Sequence, residues 1–426
     1  MAAVSEKAKE AYDASTKLAN AGVKEKDAAL VAMAEAIEKN RKKILAANAK
    51  DVAAGGRLSK ALLDRLKLSD AKIDGIVKSI QSVKKLDDPV GKTLAKTELD
   101  KGLILSKVSV PIGVIGAVFE SRPDVVPQIA SLCLKTGNSV VFKGGSEAAE
   151  SNKFLYEVIR EATEGAGIPK GWIQMIETRK DVSELLKLDD YVSLLVPRGS
   201  NKFVKHIMEN TSIPVLGHAD GICHIFVDRD ADLKMAEEVC FDAKTQYPAV
   251  CNAMETMLVD EKIAEKFLPA MCEHFAAAGV ELRGDGKTGA IVNCIKKATE
   301  EDWRTEYNDL ILSIKVVADA DEAINHINEY GSHHTDSIIT KNKATAKKFL
   351  AGVDSACVFH NCSTRFSDGF RFGLGAEVGI STDKTHARGP VGLEGLVIYK
   401  WVLEGSGQTV REYAEGKKKF THKKIK

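Results

Sequence analysis

The chain has 426 residues and 44% hydrophobic content, too much for one ordinary core, so two or three domains are expected. Its 61 Lys plus Arg against 60 Asp plus Glu give no long-range field for steering nucleic acid or an anionic membrane, which leaves small-molecule chemistry as the default. The opening residues lack a basic-then-apolar signal pattern and no apolar run is long enough to span a bilayer, so a soluble, cytoplasmic protein is expected.

The first 90 or so residues read as amphipathic helices, with Ile73, Ile76, Val77 and Ile80 falling at i, i+3, i+4 and i+7. From Val110 the pattern becomes short β-rich runs alternating with helical stretches: Val110–Phe119, Ser139–Lys143, Trp172–Ile176 and Val192–Val196. Such alternation implies right-handed crossovers and a mainly parallel sheet. A second set, Cys223–Val227, Thr256–Val259, Leu310–Val317, Ser337–Thr340 and Ala356–Phe359, predicts a second α/β domain. Two runs fit neither sheet, Leu103–Val108 and Leu396–Leu403. Both of their faces carry apolar groups, so they are expected to pair with another part of the chain or with another subunit. The lysine-rich tail after Gly416 reads as a solvated end.

Cysteines at 133, 223, 240, 251, 272, 294, 357 and 362 show no Cys-x-x-Cys and no regular spacing, which argues against a disulfide framework or a zinc knuckle. Most read as small buried hydrophobes, Cys133 in an apolar helical pattern, Cys223 and Cys357 in strands. Cys251 differs, because it follows a Pro-containing loop and precedes a β-rich run. A thiolate there is accessible as a nucleophile, with loop N–H groups placed to lower its pKa and hold an oxyanion, although spacing alone also allows a packing role.

Lys143, Gly144, Gly145, Ser146 and Glu147 follow a strand and open a helix, a place that favours a phosphate or a hydroxyl-rich ligand. An ordinary βα turn uses the same glycines, and the dinucleotide fingerprint Gly-x-Gly-x-x-Gly is absent. Pro197-Arg198-Gly199-Ser200 likewise offers Arg198 to a phosphate or to solvent. His218, Asp220 and His224 lack helical His-x-x-x-His spacing, and the adjacent pair His333 and His334 does not converge, so no metal site is predicted.

Tyr247-Pro248-Ala249-Val250-Cys251-Asn252-Ala253-Met254-Glu255-Thr256 resembles the nucleophile segment of the γ-glutamyl phosphate reductase family, within the aldehyde dehydrogenase-like superfamily. Pro111-Ile112-Gly113-Val114-Ile115-Gly116-Ala117-Val118-Phe119-Glu120-Ser121-Arg122-Pro123-Asp124 resembles the family's early signature. Phe372-Gly373-Leu374-Gly375-Ala376-Glu377-Val378-Gly379-Ile380-Ser381-Thr382, continued through His386 to Leu396, resembles its late one. The likeness runs from the first helices to about Tyr399. It departs at Lys143, where many relatives carry arginine, and at Ser200 and His333, where they often carry glycine.

The resemblance implies an α/β aldehyde dehydrogenase-like fold with two Rossmann-like domains and a β-strand oligomerisation element. Residues 1–95, 113–229 and 363–384 would bind cofactor, 230–362 would form the catalytic domain, and 96–112 with 385–426 the oligomerisation segment and tail. It implies a homodimer or higher homo-oligomer joined by strand addition, unless both runs fold back on their own subunit. It further implies NADPH-dependent reduction of L-glutamate 5-phosphate to L-glutamate 5-semialdehyde, the second step of proline biosynthesis, with NADH also admissible as cofactor and glutamate 5-kinase as a functional associate. Cys251 would be the nucleophile. Lys143, Gly144, Gly145, Ser146, Glu147, Arg198, Gly199 and Glu377 would contact cofactor, and Arg122, Asn252 and His218 would serve the oxyanion or substrate. Arg122 falls about where aldehyde-oxidising relatives carry an oxyanion-binding asparagine, and suits an anionic substrate unless it pairs with Glu120 or Asp124. Leu216-Gly217-His218 lacks the glutamate that aldehyde oxidisers use to activate water, which disfavours oxidation. An intact Cys251, Arg122 and Glu377 disfavour a catalytically silent scaffold.

Overall fold

The computed structural model describes residues 4–56, 58, 60–217, 220–293 and 295–425. Five helices come first, Val4–Leu18, Val23–Lys39, Arg41–Ala54, Lys60–Leu66 and Asp70–Lys85. In the last, Ser69 accepts from the Lys72 N–H and so caps an orphan donor, while Ile73, Ile76 and Ile80 face inward with Val77 packed beside them.

An unpredicted strand, β1 (Thr93–Asp100), then turns at Gly102, whose φ of 71° favours glycine, into β2 (Leu103–Pro111). β1 escaped notice because half of it is fully exposed and its sequence TLAKTELD has no apolar face. The predicted run Val110–Phe119 is two elements. Val110 and Pro111 end β2, the chain bends at Gly113 (φ 129°), and β3 (Val114–Phe119) starts a new sheet.

β3 is joined by β4 (Ser139–Lys143), β5 (Ile173–Met175) and β6 (Leu194–Arg198), all parallel, in the order β5-β4-β3-β6. The chain steps outward from β3 to β5, then returns to lay β6 on the other side of β3. That reversal opens a crevice at the carboxyl ends of β3 and β6, the place where open α/β sheets take ligands.

The second sheet is parallel and seven-stranded, made of β7 (Cys223–Val227), β8 (Met254–Asp260), β9 (Glu281–Gly284), β10 (Lys296–Lys297), β11 (Ile311–Val317), β12 (Thr335–Ile339) and β13 (Cys357–His360). Its order is β10-β9-β11-β8-β7-β12-β13. Five of these were expected. β9 and β10 are short and carry charges, so neither presents the apolar run of a doubly covered strand. β14 (Gly379–Ser381) and β15 (Gly389–Val391) form a small hairpin-like pair.

The two strands without an obvious sheet pair with each other. β16 (Val397–Glu404) runs antiparallel to β2 from Val397 opposite Pro111 to Glu404 opposite Ile104. The tail after Gly416 is not merely solvated. β17 (Lys423–Ile425) adds to β1, completing the sheet β16-β2-β1-β17. Tyr413 stacks on Phe420 at 4.3 Å and donates to Asp100 Oδ2 at 2.8 Å, which anchors a segment whose lysines concealed it.

Candidate active site

Cys251 sits in the turn between the helix Leu233–Thr245 and β8, half-buried, where three pieces of backbone close around it. Gly221 presses on it from below, since a Cβ on that glycine would collide with the Cys251 carbonyl oxygen, Cα and Cβ. The Cys223 thiol donates to the Cys251 carbonyl at 3.2 Å, and burial pushes that thiol far up in pKa, so it stays a donor. On the far side, Thr364 Oγ1 donates to the Asn252 carbonyl at 2.7 Å and Asn252 Nδ2 donates to the Ser367 carbonyl at 2.8 Å. Part of the Asn252 amide is thus spent fastening the loop, while its Oδ1 has no hydrogen-bond partner among the described residues.

The thiol opens into a cleft of about 800 Å³ that Cys251 and Asn252 line together with Arg122, Arg198, Gly199 and Glu377. The turn after β3 carries Arg122 there, the end of β6 carries Arg198, and the loop before β14 carries Glu377. Arg122 does not pair with its chain neighbours: the Glu120 carboxylate accepts instead from the Ser200 N–H at 2.9 Å, and among the described residues no ion pair joins Arg122 to Asp124. Burial, with Arg198 and Arg65 nearby, lowers the Arg122 pKa from its ordinary value. The Glu377 carboxyl is pushed up by burial, against the pull of Arg198, and accepts from the Gly369 N–H at 2.7 Å. A φ of 157° at Gly379 and the missing Cβ leave room for the Arg198 guanidinium, which would lie 2.9 Å from such an atom.

The Lys143 to Glu147 group is at the β4 end, outside the cleft lining. Lys143 is buried. Glu147 Oε1 accepts from the Ser121 N–H at 2.6 Å and from Ser121 Oγ at 2.8 Å, which holds Ser121 at a φ of 44° and thereby braces the residue before Arg122. Gly144 and Gly145 are required by packing, since a Cβ on either would strike Asn152 or Glu147; Ser146 opens the short 3₁₀ turn between them and the helix Ala149–Gly165. His218 and Cys294 lie outside the described residues. His224 is committed to the core, its Nδ1 hydrogen-bonded to Asp336 Oδ1 at 2.9 Å. His333 has a φ of 59°, the conformation glycine adopts without strain, with Nδ1 2.7 Å from the Asp354 carbonyl oxygen.

Sequence reasoning missed Arg65, Arg365 and Arg371, which bring the arginines on the cleft wall to five. They come from an early helix and a late loop, and no local motif marks them. Guanidinium groups for phosphates, with a carboxylate at Glu377 for hydroxyls, form a donor set that fits a dinucleotide and an anionic substrate.

A model of the aldehyde dehydrogenase family matches residues 1–309. The γ-glutamyl phosphate reductase of Methanococcoides burtonii is 58% identical over 435 residues, covering 99% of this chain and 97% of that one. The protein of the same name from Methanosarcina barkeri is 57% identical over 429 residues, 98% of this chain and 96% of its own. The crystal structure of γ-glutamyl phosphate reductase from Thermotoga maritima superposes with a TM-score of 0.93 at 46% identity, covering 95% of this chain and 99% of that one. The chain, an oxidoreductase with parallel α/β sheets and a cysteine-lined cleft, belongs to the aldehyde dehydrogenase family and, within it, to the γ-glutamyl phosphate reductases.

Proposed function

We propose that the enzyme reduces L-glutamate 5-phosphate to L-glutamate 5-semialdehyde and phosphate, the second step of proline biosynthesis, through a thioester on Cys251 and with NADPH as reductant. The observation that carries this reading is the concentration of cations around one accessible thiol, Arg122 among them with no carboxylate in ion-pair contact among the described residues. The Cys251 thiolate attacks the acyl carbon, a C–S bond forms, and the C–O bond to phosphate breaks with its electron pair leaving on phosphate. Arg122 meets the departing charge, and the second N–H of Asn252 with the loop backbone faces the acyl oxygen, a contribution on the order of 100- to 1,000-fold for such a donor. A bound reduced nicotinamide supplies the hydride that takes the thioester to the aldehyde level. Cleavage of the C–S bond then returns the thiolate and frees the semialdehyde. The test is oxidation of glutamate semialdehyde with NADP and NAD in parallel: turnover that requires phosphate supports the reading, and turnover indifferent to phosphate indicates an ordinary aldehyde oxidiser.

Arg198 at the crevice between β3 and β6, and Lys143 one strand away, are the cations for the adenosine 2′-phosphate, and Glu377 meets a ribose. Neutralising both cations as Lys143→Met and Arg198→Gln raises KM for NADPH by about tenfold more than for NADH, one charge-assisted contact's worth. Equal effects on the two cofactors would show that neither reads the extra phosphate.

The enzyme works in the cytoplasm as at least a homodimer, alongside glutamate 5-kinase as a functional associate. No described helix is long and apolar enough to cross a membrane. Support for assembly comes from β16 at the edge of its sheet, with Ile398, Tyr399, Trp401 and Leu403 exposed. Light scattering on dilute protein is expected to give twice the chain mass or more, and Trp401→Glu to lower it. A fully active monomer at micromolar concentration would contradict this.

A further inference from the structure

Arg365 is 8% exposed, yet it lines the cleft that holds Cys251. Its guanidinium makes one hydrogen bond, from Nε to Gln246 Oε1 at 3.1 Å, and it has no carboxylate partner among the described residues. Asp242 and Asp368 act on it only from a distance, and a buried cation with no carboxylate in contact is costly unless a ligand completes it. The backbone around it is rigidly held. Ser363 Oγ accepts from the Arg365 N–H at 3.3 Å, Arg371 Nη1 donates to the Arg365 carbonyl at 2.7 Å, and Thr364 and Ser367 on either side are bonded to Asn252. Gln246, its one side-chain partner, lies two residues before Pro248 in the nucleophile loop. Arg365 is therefore built into the same knot of hydrogen bonds as Cys251, and any group it binds is registered against the sulfur.

Arg122 approaches the thiol from the other sheet, grouped with Arg65 and Arg198. The charge of the Cys251 sulfur acts on both Arg122 and Arg365. The thiol thus shares its cleft with two groups of cations, one carried by each sheet's side of the fold. Arg122 with Arg65 stands at one, which suits a doubly charged phosphoryl group; the other is a buried guanidinium with Arg371 beside it, which suits a carboxylate.

We infer that Arg365 is the anchor for the carboxylate at the far end of the substrate, so that the reacting carbon is held at Cys251 by two anions, each met by its own arginine. This rests on the reading of Cys251 as the nucleophile of an acyl phosphate reductase, and it adds a requirement: a substrate without the distal carboxylate is poorly held even when its acyl phosphate is intact.

The test uses protection of Cys251 from iodoacetamide in the full-length protein, followed by mass spectrometry of the modified peptide, with inorganic phosphate and butanoate as probes. In the wild type each anion slows alkylation. Arg365→Gln is expected to raise the butanoate concentration needed for half-protection by about 10- to 100-fold, the loss of one charged hydrogen-bonded contact, and to leave phosphate protection nearly unchanged. Arg122→Gln is expected to do the reverse, and Arg365→Lys to restore part of the butanoate effect. Loss of both protections together in Arg365→Gln, no change in either, or no butanoate protection in the wild type would each overturn the inference. Because protection needs no turnover, a failed phosphate-dependent semialdehyde assay beside a preserved split between the two anions would remove the proposed reaction and leave the carboxylate anchor standing.

Discussion

Cys251→Ala is expected to fold and to bind cofactor but to lose turnover by several orders of magnitude. Of the seven described cysteines, five are buried, Cys133 and Cys240 with thiols pushed well up by burial, and only Cys251 combines partial exposure with a place on the cleft wall. Cys362 is the other half-buried thiol, and its pKa is raised by burial rather than lowered. Loss of a covalent nucleophile costs far more than the ~1.4 kcal/mol that corresponds to tenfold, so a Cys251→Ala enzyme that kept more than about a tenth of its activity would need a different mechanism.

Lys244→Met is expected to destabilise the protein by about 3–5 kcal/mol, as is the removal of one partner from other buried ion pairs. Lys244 Nζ donates to Glu255 Oε2 at 2.6 Å, and both side chains are fully buried. Burial pushes the Glu255 carboxyl up to about 7 even against the lysine, and depresses the lysine in turn. The pair joins the helix before the nucleophile loop to the strand after it. Glu255 Oε1 also accepts from the Asn308 N–H at 3.3 Å, which ties the cleft wall to β8. Lys244→Met with Glu255→Leu is expected to recover most of the loss, since the uncompensated charge is gone. Urea unfolding of the two singles and the double measures this. Single variants within about 0.5 kcal/mol of wild type would mean that the pair is open to water.

The legibility of the chain follows burial. β4, β7 and β12 are covered on both faces and read directly as apolar runs between helices, and Cys251 was marked by a proline loop before such a run. β1, β10 and β17 lie at sheet edges or in the water-facing sheet, where polar side chains erase the pattern. Arg198 could be found because it ends a strand, and Arg122 because it falls in the segment that resembles the family's early signature. Arg365 and Gly221 could not, because their meaning lies in what the fold presses against them: Cys251 over a glycine without a Cβ, and a cleft opening beside a buried guanidinium. Glu147 was legible only in part. Its place after the β4 turn points to a cofactor contact, and a second task that no local motif marks comes from the fold: its carboxylate grips Ser121 and steadies the approach to Arg122.

A glutamyl thioester on Cys251 can be trapped. Incubating the enzyme with glutamate semialdehyde and NADP in the absence of phosphate should stall it after oxidation, with no acceptor to release the acyl group. Acid quenching and peptide mass spectrometry should then show one glutamyl group added at Cys251, and it should disappear when phosphate is supplied. An acyl group on another residue, or reduced cofactor formed with no acyl-enzyme in either the stalled or the phosphate-supplied sample, would contradict the mechanism.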